Sequence, residues 1–271
     1  MRRSIILPTI ATVLLVFVLK ETVWFDRKPE IVKIYAITPT YRRSNQIPEL
    51  TRLCTVFTVA GNIRWIVVED ANRKSGNLSH FLHECGVPHV HLNATSAKSK
   101  RLIRGSNQRN EALRWLRGNI RPNQERGVVY FADDDNTYHP DLFAEIRTLR
   151  RGATWPVGLI ASSQWEGCIT GPGDRSKIKS FWTSVWYNRT FPIDMAGFAV
   201  SLDLVLQKPK ALFDNHTVGK QEGLFLSALG FKNAFELEPK ADGCTRILVW
   251  HTRASEQNFT VVGPPTIRNL K

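Results

Sequence analysis

The sequence lacks the signatures of the common nucleic-acid-binding modules and has few cysteines for its length. No helix-turn-helix, zinc-finger or RNA-recognition pattern is present and no segment repeats, which argues against those modules and against solenoid folds. The 271 residues include only four cysteines, Cys54, Cys85, Cys168 and Cys244. Their spacing fits no metal-binding motif, and it permits disulfides without assigning the pairing.

Acidic residues are also scarce. The chain has 24 Asp and Glu against 37 Lys and Arg, a formal net charge of +13. Such a surplus favours anionic partners: nucleic acid, anionic lipid, or phosphorylated and acidic small molecules. Because the basic residues are spread along the chain and no nucleic-acid-binding motif accompanies them, we predict no nucleic-acid partner. A hydrophobic content of 42% is enough to bury the core of one large domain or two small ones.

The first thirty residues indicate the cellular compartment. Two arginines precede an uncharged run, residues 4–19, that would form a helix of about 24 Å. This is short of a hydrocarbon core of roughly 30 Å, a mismatch that thinner membranes of the early secretory pathway tolerate. We predict a cytoplasmic tail (1–3), a signal-anchor transmembrane helix (4–20) and a short stem (21–30), with the rest of the chain in the lumen. A cleaved signal peptide is the alternative, and it leads to the same pathway.

Alternating hydrophobic patterns predict an α/β fold in the first half of the chain. Near-continuous apolar runs typical of buried strands occur in IVKIYAITPTY, IRWIVVEDA, VPHVHLNA and GVVYFADDD. Helical spacing separates them in PELTRLCTVFTVA, LSHFLHECG and SNQRNEALRWLRGN, the last with Ser106 or Asn107 as a candidate cap. This alternation indicates a mostly parallel sheet covered on both faces.

The pattern changes after residue 140. Strands of a more mixed sheet are predicted in WPVGLIASSQWEG, KIKSFWTSVW, DMAGFAVSLDLVL and RILVWHTR, and a helix in KQEGLFLSALG. We expect this half to form a second lobe that completes a cleft.

Three adjacent aspartates occupy positions 133–135, directly after the fourth predicted strand. Polar residues also end the first and second strands, at 38–41 and 69–70, and ligands bind at the carboxyl edge of such sheets. One explanation of the triplet is a solvated turn, or a helix cap by Asp135 or Asn136. The other is a divalent cation that offsets the repulsion between carboxylates, whose oxygen ligands suit Mg²⁺ or Mn²⁺. We favour the cation, which points to a nucleotide diphosphate as its partner.

Seven ordered motifs carry a resemblance to a known enzyme family. They are TPTYRR, VVEDA, RGSNQRNEALRWLR, GVVYFADDDNTY, WPVGL, FPIDMAGFAV and LVWHTR. Together, from about Ile34 to Arg253, they resemble the animal β-1,3-glucuronosyltransferases, type II Golgi enzymes that move glucuronate from UDP-glucuronate to a terminal galactose. An aspartate triplet alone is common among glycosyltransferases, whereas the ordered set of seven is specific.

The resemblance implies a two-part α/β architecture, the GT-A fold. A Rossmann-like UDP-sugar-binding half with a mostly parallel sheet would occupy residues 31–136. A mixed α/β acceptor-binding half would occupy 137–260, followed by a C-terminal tail over 261–271. The family also implies a Mn²⁺ requirement and an inverting single displacement.

Carried over by motif, the family's donor-binding and metal-binding positions fall on eleven residues of this chain. The donor-binding residues are Pro39, Thr40, Tyr41, Asp70, Arg104, Arg109, Asp133, Asp134, His251 and Arg253, and the metal ligand is Asp135. Tyr41 would stack on uracil, and Arg104 and Arg109 would reach the nucleotide sugar, with the glucuronate carboxylate as a target. His251 and Arg253 would bind the diphosphate, which suits an imidazole beside a guanidinium.

The second half should supply a base that deprotonates the acceptor hydroxyl, on the face opposite the leaving UDP. The segment KQEGLFLS matches the family's catalytic helix, so Glu222 is the candidate base, with a pKa raised by partial burial. Glu166, Arg189 and Asp194 match the family's acceptor-binding positions, and carboxylates paired to sugar hydroxyls are the expected chemistry there.

Each assignment has a plain structural alternative. Arg104 and Arg109 could be charges on a helix surface, and His251 a core histidine with satisfied hydrogen bonds. Asp70 could be the end of its strand with no further role, and Glu222 could be an exposed helix glutamate.

The resemblance therefore predicts an inverting, Mn²⁺-dependent transfer of glucuronate from UDP-glucuronate to the 3-OH of a terminal β-galactose. The expected acceptor is the galactosyl-galactosyl-xylosyl linkage region of proteoglycans, with lactosamine-type termini of glycoproteins or glycolipids as the alternative. A lectin-like protein that keeps the fold and has lost catalysis is the alternative from another class. The expected setting is a single-pass type II homodimer in the Golgi membrane, with its catalytic domain in the lumen.

Overall fold

The computed structural model describes residues 32–96, 104–160, 163–184 and 188–252. The predicted cytoplasmic tail, anchor, stem and C-terminal tail lie outside these ranges, as does Arg253. Within these ranges, no helix combines the length and the apolar character that a membrane span requires.

The elements of the described chain alternate between strand and helix in the first half, as the hydrophobic pattern predicts. In chain order the strands are β1 (Lys33–Thr40), β2 (Ile63–Glu69), β3 (His89–Asn93), β4 (Gly127–Phe131), β5 (Asn136–Tyr138), β6 (Gly152–Thr154), β7 (Val157–Ile160), β8 (Ser163–Gly171), β9 (Asp174–Trp182), β10 (Phe198–Ser201), β11 (Glu238–Pro239) and β12 (Val249–His251). The α-helices are α1 (Gln46–Ala60), α2 (Gly76–Cys85), α3 (Ser106–Asn119), α4 (Pro140–Ile146), α5 (Leu202–Gln207) and α6 (Gln221–Ala228).

A seven-stranded sheet forms the centre of the described chain, with the strand order β11-β6-β10-β4-β1-β2-β3. Strand β1 pairs in parallel with β2 and with β4, so that Ile37 lies between Ile66 and Phe131. Among the described strands of this sheet, β10 alone runs antiparallel to its neighbours. The prediction of a mostly parallel sheet is therefore confirmed.

Helices cover both faces of this sheet, which is why its central strands have nearly unbroken apolar sequences. On one face, the ring of Trp65 from β2 packs edge-on against Phe57 from α1, with centroids 5.2 Å apart. On the other face, Ile66 from β2 belongs to the same hydrophobic cluster as Leu113 and Leu116 from α3. Successive side chains of a strand point to opposite faces, and here both faces of the central strands are buried from solvent.

Helix α3 does not begin with the predicted side-chain cap. Its N-cap residue is Gly105, in a left-handed conformation with φ of +85°. A Cβ atom at this position would lie 2.6 Å from Nη1 of Arg109, so the guanidinium requires a glycine here. Ser106 instead donates to the carbonyl oxygen of Asp214, and Asn107 to that of Thr95. The predicted capping by Ser106 or Asn107 is wrong, because both side chains tie the helix to neighbouring segments.

The second half contributes to both sheets. Its five-stranded sheet has the order β5-β12-β7-β8-β9. The segment 194–206, predicted as one strand, forms a strand only over Phe198–Ser201, which inserts between β4 and β6 of the seven-stranded sheet. Ser201 then caps α5, since its Oγ accepts from the N–H of Leu204 at 3.3 Å.

The four cysteines form two disulfides. Cys54–Cys85 joins α1 to α2, and Cys168–Cys244 joins β8 to the turn Ala241–Cys244. All four residues of that turn have left-handed φ values between +55° and +64°. The cross-link therefore holds a turn in a backbone conformation that only glycine adopts without a cost in free energy.

Candidate active site

The carboxyl ends of β1, β2 and β4 meet at one edge of the seven-stranded sheet, as the sequence predicts. The N–H of Asp70 donates to the carbonyl oxygen of Thr40 at 2.8 Å. Thr40 Oγ1 donates to Oδ2 of Asp134 at 2.6 Å, and the Tyr138 hydroxyl donates to the carbonyl of Asp133 at 2.9 Å. Asp134 is only 6% exposed, so the triplet lies in a packed sheet edge and not in a solvated turn.

The helix that follows the triplet is not capped by Asp135 or Asn136. Its N-cap residue is His139, whose Nδ1 accepts from the N–H of Asp141 at 3.2 Å. Asn136 instead begins β5, where it lies opposite His251 of β12. This pairing brings the WHTR motif, which is more than a hundred residues away in sequence, to the end of the aspartate triplet.

Asp134 is held by a buried arginine that the sequence analysis did not assign. Its Oδ1 lies 2.9 Å from Nη2 of Arg43. Burial raises the pKa of Asp134 to about 6, although Arg43 and the Thr40 hydroxyl favour the ionised carboxylate. Tyr41 lies in the same group, with its ring centre 4.5 Å from the Arg43 guanidinium carbon and 5.8 Å from that of Arg104.

Asp133 is paired with Arg109 of α3, whose Nη2 donates to its Oδ1. Arg109 is 6% exposed, so it is not a charge on the helix surface. Its Nε is buried and has no hydrogen-bond partner among the described residues. Helix α3 therefore positions the Arg109 guanidinium at the sheet edge, with its Nε donor still unused. Arg104, by contrast, is exposed in the turn before α3.

Asp70 is more than the end of its strand. Its Oδ1 accepts from the N–H of Ser96 at 2.8 Å, and its Oδ2 from the Ser96 hydroxyl at 2.6 Å. The buried Gln108 of α3 supports this pair through Nε2, which lies 2.7 Å from the carbonyl of Ala94 and 3.3 Å from Ser96 Oγ. These bonds fix the Asp70 carboxylate beside Thr40 at the end of β1.

Asp135 has the properties of a cation ligand. No donor among the described residues forms a hydrogen bond with its carboxylate. Burial raises the pKa of Asp135, and the carboxylates of Asp133 and Glu49 raise it further, while His251 and Arg43 lower it. An oxygen ligand surrounded by like charge fits a hard divalent ion such as Mn²⁺. The described ranges contain no group of three or more His, Cys, Asp or Glu side chains that could hold a metal ion.

His251 forms an ion pair with Asp194, whose Oδ1 lies 3.0 Å from the imidazole Nε2. The same oxygen accepts from the N–H of Ala196 at 2.8 Å. Burial lowers the pKa of His251, but the hydrogen bond and the charge of Asp194 outweigh this effect, so that the pKa is raised. The histidine is thus favoured as a cation beside Asp135, a state suited to binding phosphate oxygens.

Glu222 lies near the start of α6 and is partly buried, and its carboxylate accepts a hydrogen bond from its own backbone N–H. Burial raises the pKa of Glu222 to about 7, and the Asp194 carboxylate adds to the rise, while Arg189 and Arg109 lower it. These four charged side chains therefore share one electrostatic environment. A carboxylate that titrates near neutrality has the property of a general base.

Glu166 and Arg189 lie next to each other, 4.0 Å apart between Oε2 and Nη2. The Glu166 carboxylate is buried and accepts from Thr183 Oγ1 at 3.0 Å and from the N–H and Oγ of Ser184 at 2.9 and 2.6 Å. Within the part of the chain that the structure describes, the buried Nε of Arg189 has no partner, and its Nη1 donates to the carbonyl of Ile193 at 3.4 Å. Through these bonds Glu166 orders the segment that follows β9, in addition to being a candidate for contact with the acceptor.

The structure brings most of the predicted residues together at this sheet edge. Contacts and shared electrostatics link Thr40, Tyr41, Asp70, Arg109, Asp133, Asp134, Asp135, Asp194, Glu222 and His251, while Pro39 lies in β1 beside Thr40 and Arg253 is outside the described residues. Sequence reasoning missed Arg43, Gln108 and Ser96. The only signal for Arg43 is its place in the TPTYRR motif, where two adjacent arginines are equivalent candidates.

Comparison with known proteins shows that most of this sequence matches one family. The model of glycosyltransferase family 43 matches residues 53–255. The chain is 44% identical over 238 residues to galactosylgalactosylxylosylprotein 3-beta-glucuronosyltransferase 2 of Canis lupus familiaris, covering 86% of this chain and 71% of that protein. It is 42% identical over 246 residues to galactosylgalactosylxylosylprotein 3-beta-glucuronosyltransferase 1 of Homo sapiens, covering 86% and 71%.

Solved structures share the architecture at low sequence identity. S. aureus TarS 1–349, including its complex with UDP-GlcNAc, superimposes with a TM-score of 0.52. Its identity to this chain is 15%, over 82% of this chain and 60% of that structure, so the likeness concerns the fold alone. This likeness, together with the mostly parallel sheet, confirms the predicted GT-A fold. With the family match over three quarters of its length, this chain belongs to glycosyltransferase family 43.

Proposed function

We propose that the protein transfers glucuronate from UDP-glucuronate to the 3-OH of a terminal β-galactose. The observation that carries the proposal is the 44% identity, over 86% of the chain, to a relative named for this activity. The site supports it, since the chain keeps a carboxylate with a pKa of about 7 beside the aspartate edge. The relatives' names make the galactosyl-galactosyl-xylosyl linkage of proteoglycans the first acceptor to test, with lactosamine-type termini second.

Donor binding would use the carboxyl edge of the sheet. Tyr41 would stack on uracil, and Asp70 and Asp134 would accept from the base and the ribose. Arg109 supports an acidic sugar, because its guanidinium is buried and has an unused donor. A buried cation favours a carboxylate over a neutral hydroxyl, and the exposed Arg104 would add to the same preference.

The diphosphate would lie between Asp135 and His251. Asp135 would hold Mn²⁺, which when bound would neutralise the charge that develops on the departing UDP. His251, whose cationic form Asp194 stabilises, would donate to a phosphate oxygen. In this proposal the leaving group would lie on the side of β5 and β12, the strands that carry Asn136 and His251.

Glu222 would act as the general base. Its carboxylate would take the proton from the acceptor hydroxyl as that oxygen attacks C1 of the glucuronate from the face opposite UDP, which inverts the anomeric configuration. Arg189 and Asp194 would orient the galactose, and Glu166 would fix the segment that carries them. A base with a pKa of about 7 is partly ionised at neutral pH and holds the proton it accepts.

The setting proposed for this reaction is the Golgi lumen. The uncharged run of residues 4–19 after two arginines supports a type II anchor, and the two disulfides suit an oxidising compartment. A homodimer is proposed by resemblance to the family.

The test is donor selectivity of the purified full-length chain with Mn²⁺ and a β-galactoside acceptor. We expect turnover with UDP-glucuronate to exceed that with UDP-galactose or UDP-glucose by roughly 10²-fold or more, because a neutral hexose brings no negative charge to the unused donor of the buried Arg109 guanidinium. Equal turnover with UDP-galactose or UDP-glucose would show that UDP-glucuronate is not the preferred donor. Binding of UDP with Mn²⁺ but no transfer to any galactoside would favour the lectin-like alternative.

A further inference from the structure

A buried arginine outside the predicted donor set contacts two members of that set. Arg43 lies in the turn between β1 and α1, with a side chain 7% exposed. Its Nη2 lies 2.9 Å from Oδ1 of Asp134, and its Nη1 donates to the carbonyl oxygen of Tyr41 at 3.2 Å. Its guanidinium carbon lies 4.5 Å from the centre of the Tyr41 ring. One side chain therefore touches both the aromatic ring and the carboxylate.

Glu49 of α1 holds Arg43 in place from the other side. Arg43 Nε donates to Glu49 Oε2 at 3.0 Å, and Arg43 Nη2 reaches the same carboxylate. Glu49 is 2% exposed, and its buried carboxylate is paired with Arg43 and, at 3.9 Å, with Arg52 Nη2. The planar guanidinium is shared between two carboxylates and a ring, so a shift of one partner is transmitted to the others.

We propose that Arg43 is a positioning residue of the donor site, which holds the Tyr41 ring and the Asp134 carboxylate in one arrangement so that base and ribose are recognised together. This inference rests on the proposed function, which gives Tyr41 and Asp134 those two contacts. Arg43 acts through the two side chains and not on the sugar or the diphosphate. Lysine cannot replace it, because a point charge offers neither the fork of donors nor a face for the ring.

The test compares Arg43→Gln and Arg43→Lys with Arg42→Gln. Arg42 is the matched control, since it is exposed and adjacent and loses the same charge. For both Arg43 variants we expect the KM for the UDP-sugar to rise about tenfold or more, with kcat and the acceptor KM within about twofold. Inhibition by UMP should weaken by the same factor as inhibition by UDP, because the affected contacts lie at the nucleoside end. Arg42→Gln should match the wild type.

A second pair of variants guards against a folding defect, because removal of Arg43 takes the nearest cation from two buried carboxylates, Glu49 and Asp134. Glu49→Gln and the double variant Arg43→Gln/Glu49→Gln differ only in the arginine, and the double variant removes the buried negative charge on α1. The inference requires the double variant to show the rise in donor KM relative to Glu49→Gln alone.

Three outcomes would overturn the inference. A donor KM equal to that of Arg42→Gln leaves the proposed function standing and removes Arg43 from the donor site. A lowered melting temperature with an unchanged donor KM makes Arg43 a purely structural residue. A wild-type chain that neither binds UDP nor transfers sugar overturns the proposed function together with the inference.

Discussion

At the scale of single residues, the sharpest expectation concerns Glu222. Its carboxylate lies in the same electrostatic environment as Asp194 and Arg189 and has a pKa of about 7. We expect Glu222→Gln to lower kcat by roughly 10²–10⁴-fold while UDP binding stays nearly intact, because the amide cannot accept the proton. Steady-state rates and titration calorimetry with UDP would measure both effects. Near-normal turnover would exclude Glu222 as the base.

The raised pKa of Glu222 also predicts a stability cost. The folded state holds the proton more tightly than the unfolded state, where the pKa is 4.5. The free energy of unfolding should therefore fall as the pH rises from 4.5 to about 7, and the full cost should remain above that range. Because Gln has no charge to bury, Glu222→Gln should be more stable at pH 8 on the order of 1–2 kcal/mol, a value reduced for partial exposure.

Urea denaturation at pH 4 and pH 8 measures this cost. The gain of the Gln variant should vanish at pH 4, where wild-type Glu222 is protonated in both states. An equal gain at both pH values would show that packing, and not ionisation, is responsible.

A third residue-scale prediction addresses Asp135. We expect Asp135→Ala to abolish the Mn²⁺ dependence of UDP binding, because this carboxylate is the proposed metal ligand. Titration calorimetry with UDP, with and without MnCl₂, gives the result. Asp174→Ala is the control, since Asp174 is exposed on β9 and its side chain, among the described residues, bonds only to Ser176. If UDP binding by Asp135→Ala depended on Mn²⁺ as strongly as that of the control, Asp135 would be excluded as the metal ligand.

At the scale of elements, long periodic segments were predictable and short ones were not. Helices α1 and α3 and strands β1, β2 and β4 follow directly from apolar spacing, because each buries a full face or both faces. Strand β10 has four residues and is followed at once by α5, so its apolar run continues across a boundary that periodicity does not mark. The left-handed turn Ala241–Cys244 depends on a distant disulfide, which no local pattern reveals.

The candidate site divides in the same way. The aspartates and Asp70 were predictable because polar residues that end parallel strands must meet at one edge. The buried role of Arg43 was not, since its partners Glu49 and Asp134 come from different elements. Its neighbour Arg42 has the same local sequence signal and lies in solvent.

The pairing of β7 with β12 gives a prediction at this scale. Gly158 of β7 lies opposite Trp250, and a Cβ atom there would be 2.9 Å from the indole Nε1. We expect Gly158→Ala to displace Trp250 and the adjoining His251, and to lower kcat/KM at least about tenfold. Gly171→Ala is the matched control, because a Cβ atom at the end of β8 meets nothing within 4 Å. Equal activity of the two variants would mean that β12 tolerates the shift.

At the scale of the whole molecule, two cross-links join parts of the chain that are distant in sequence. Four cysteines allow three pairings, and the sequence does not choose between them. The structure pairs residues separated by 31 positions in Cys54–Cys85 and by 76 in Cys168–Cys244. The longer loop runs from the strand of Glu166 to the turn that leads into the strand of His251, so it links the predicted acceptor and diphosphate regions.

The two cross-links should differ in their effect on stability and on function. In the chain-entropy view, closing loops of these lengths removes about 4 kcal/mol of unfolded-state freedom each, slightly more for the longer loop. We expect Cys168→Ala/Cys244→Ala to lose stability of this order and to lose transfer activity, because the left-handed turn before β12 is released. Cys54→Ala/Cys85→Ala should lose similar stability and keep its kcat, since α1 and α2 pack in a different hydrophobic cluster from the helix of Glu222. Urea unfolding and steady-state rates at a temperature where both variants are folded separate the two contributions. Equal kcat in the two double variants would show that the turn keeps its conformation without the cross-link.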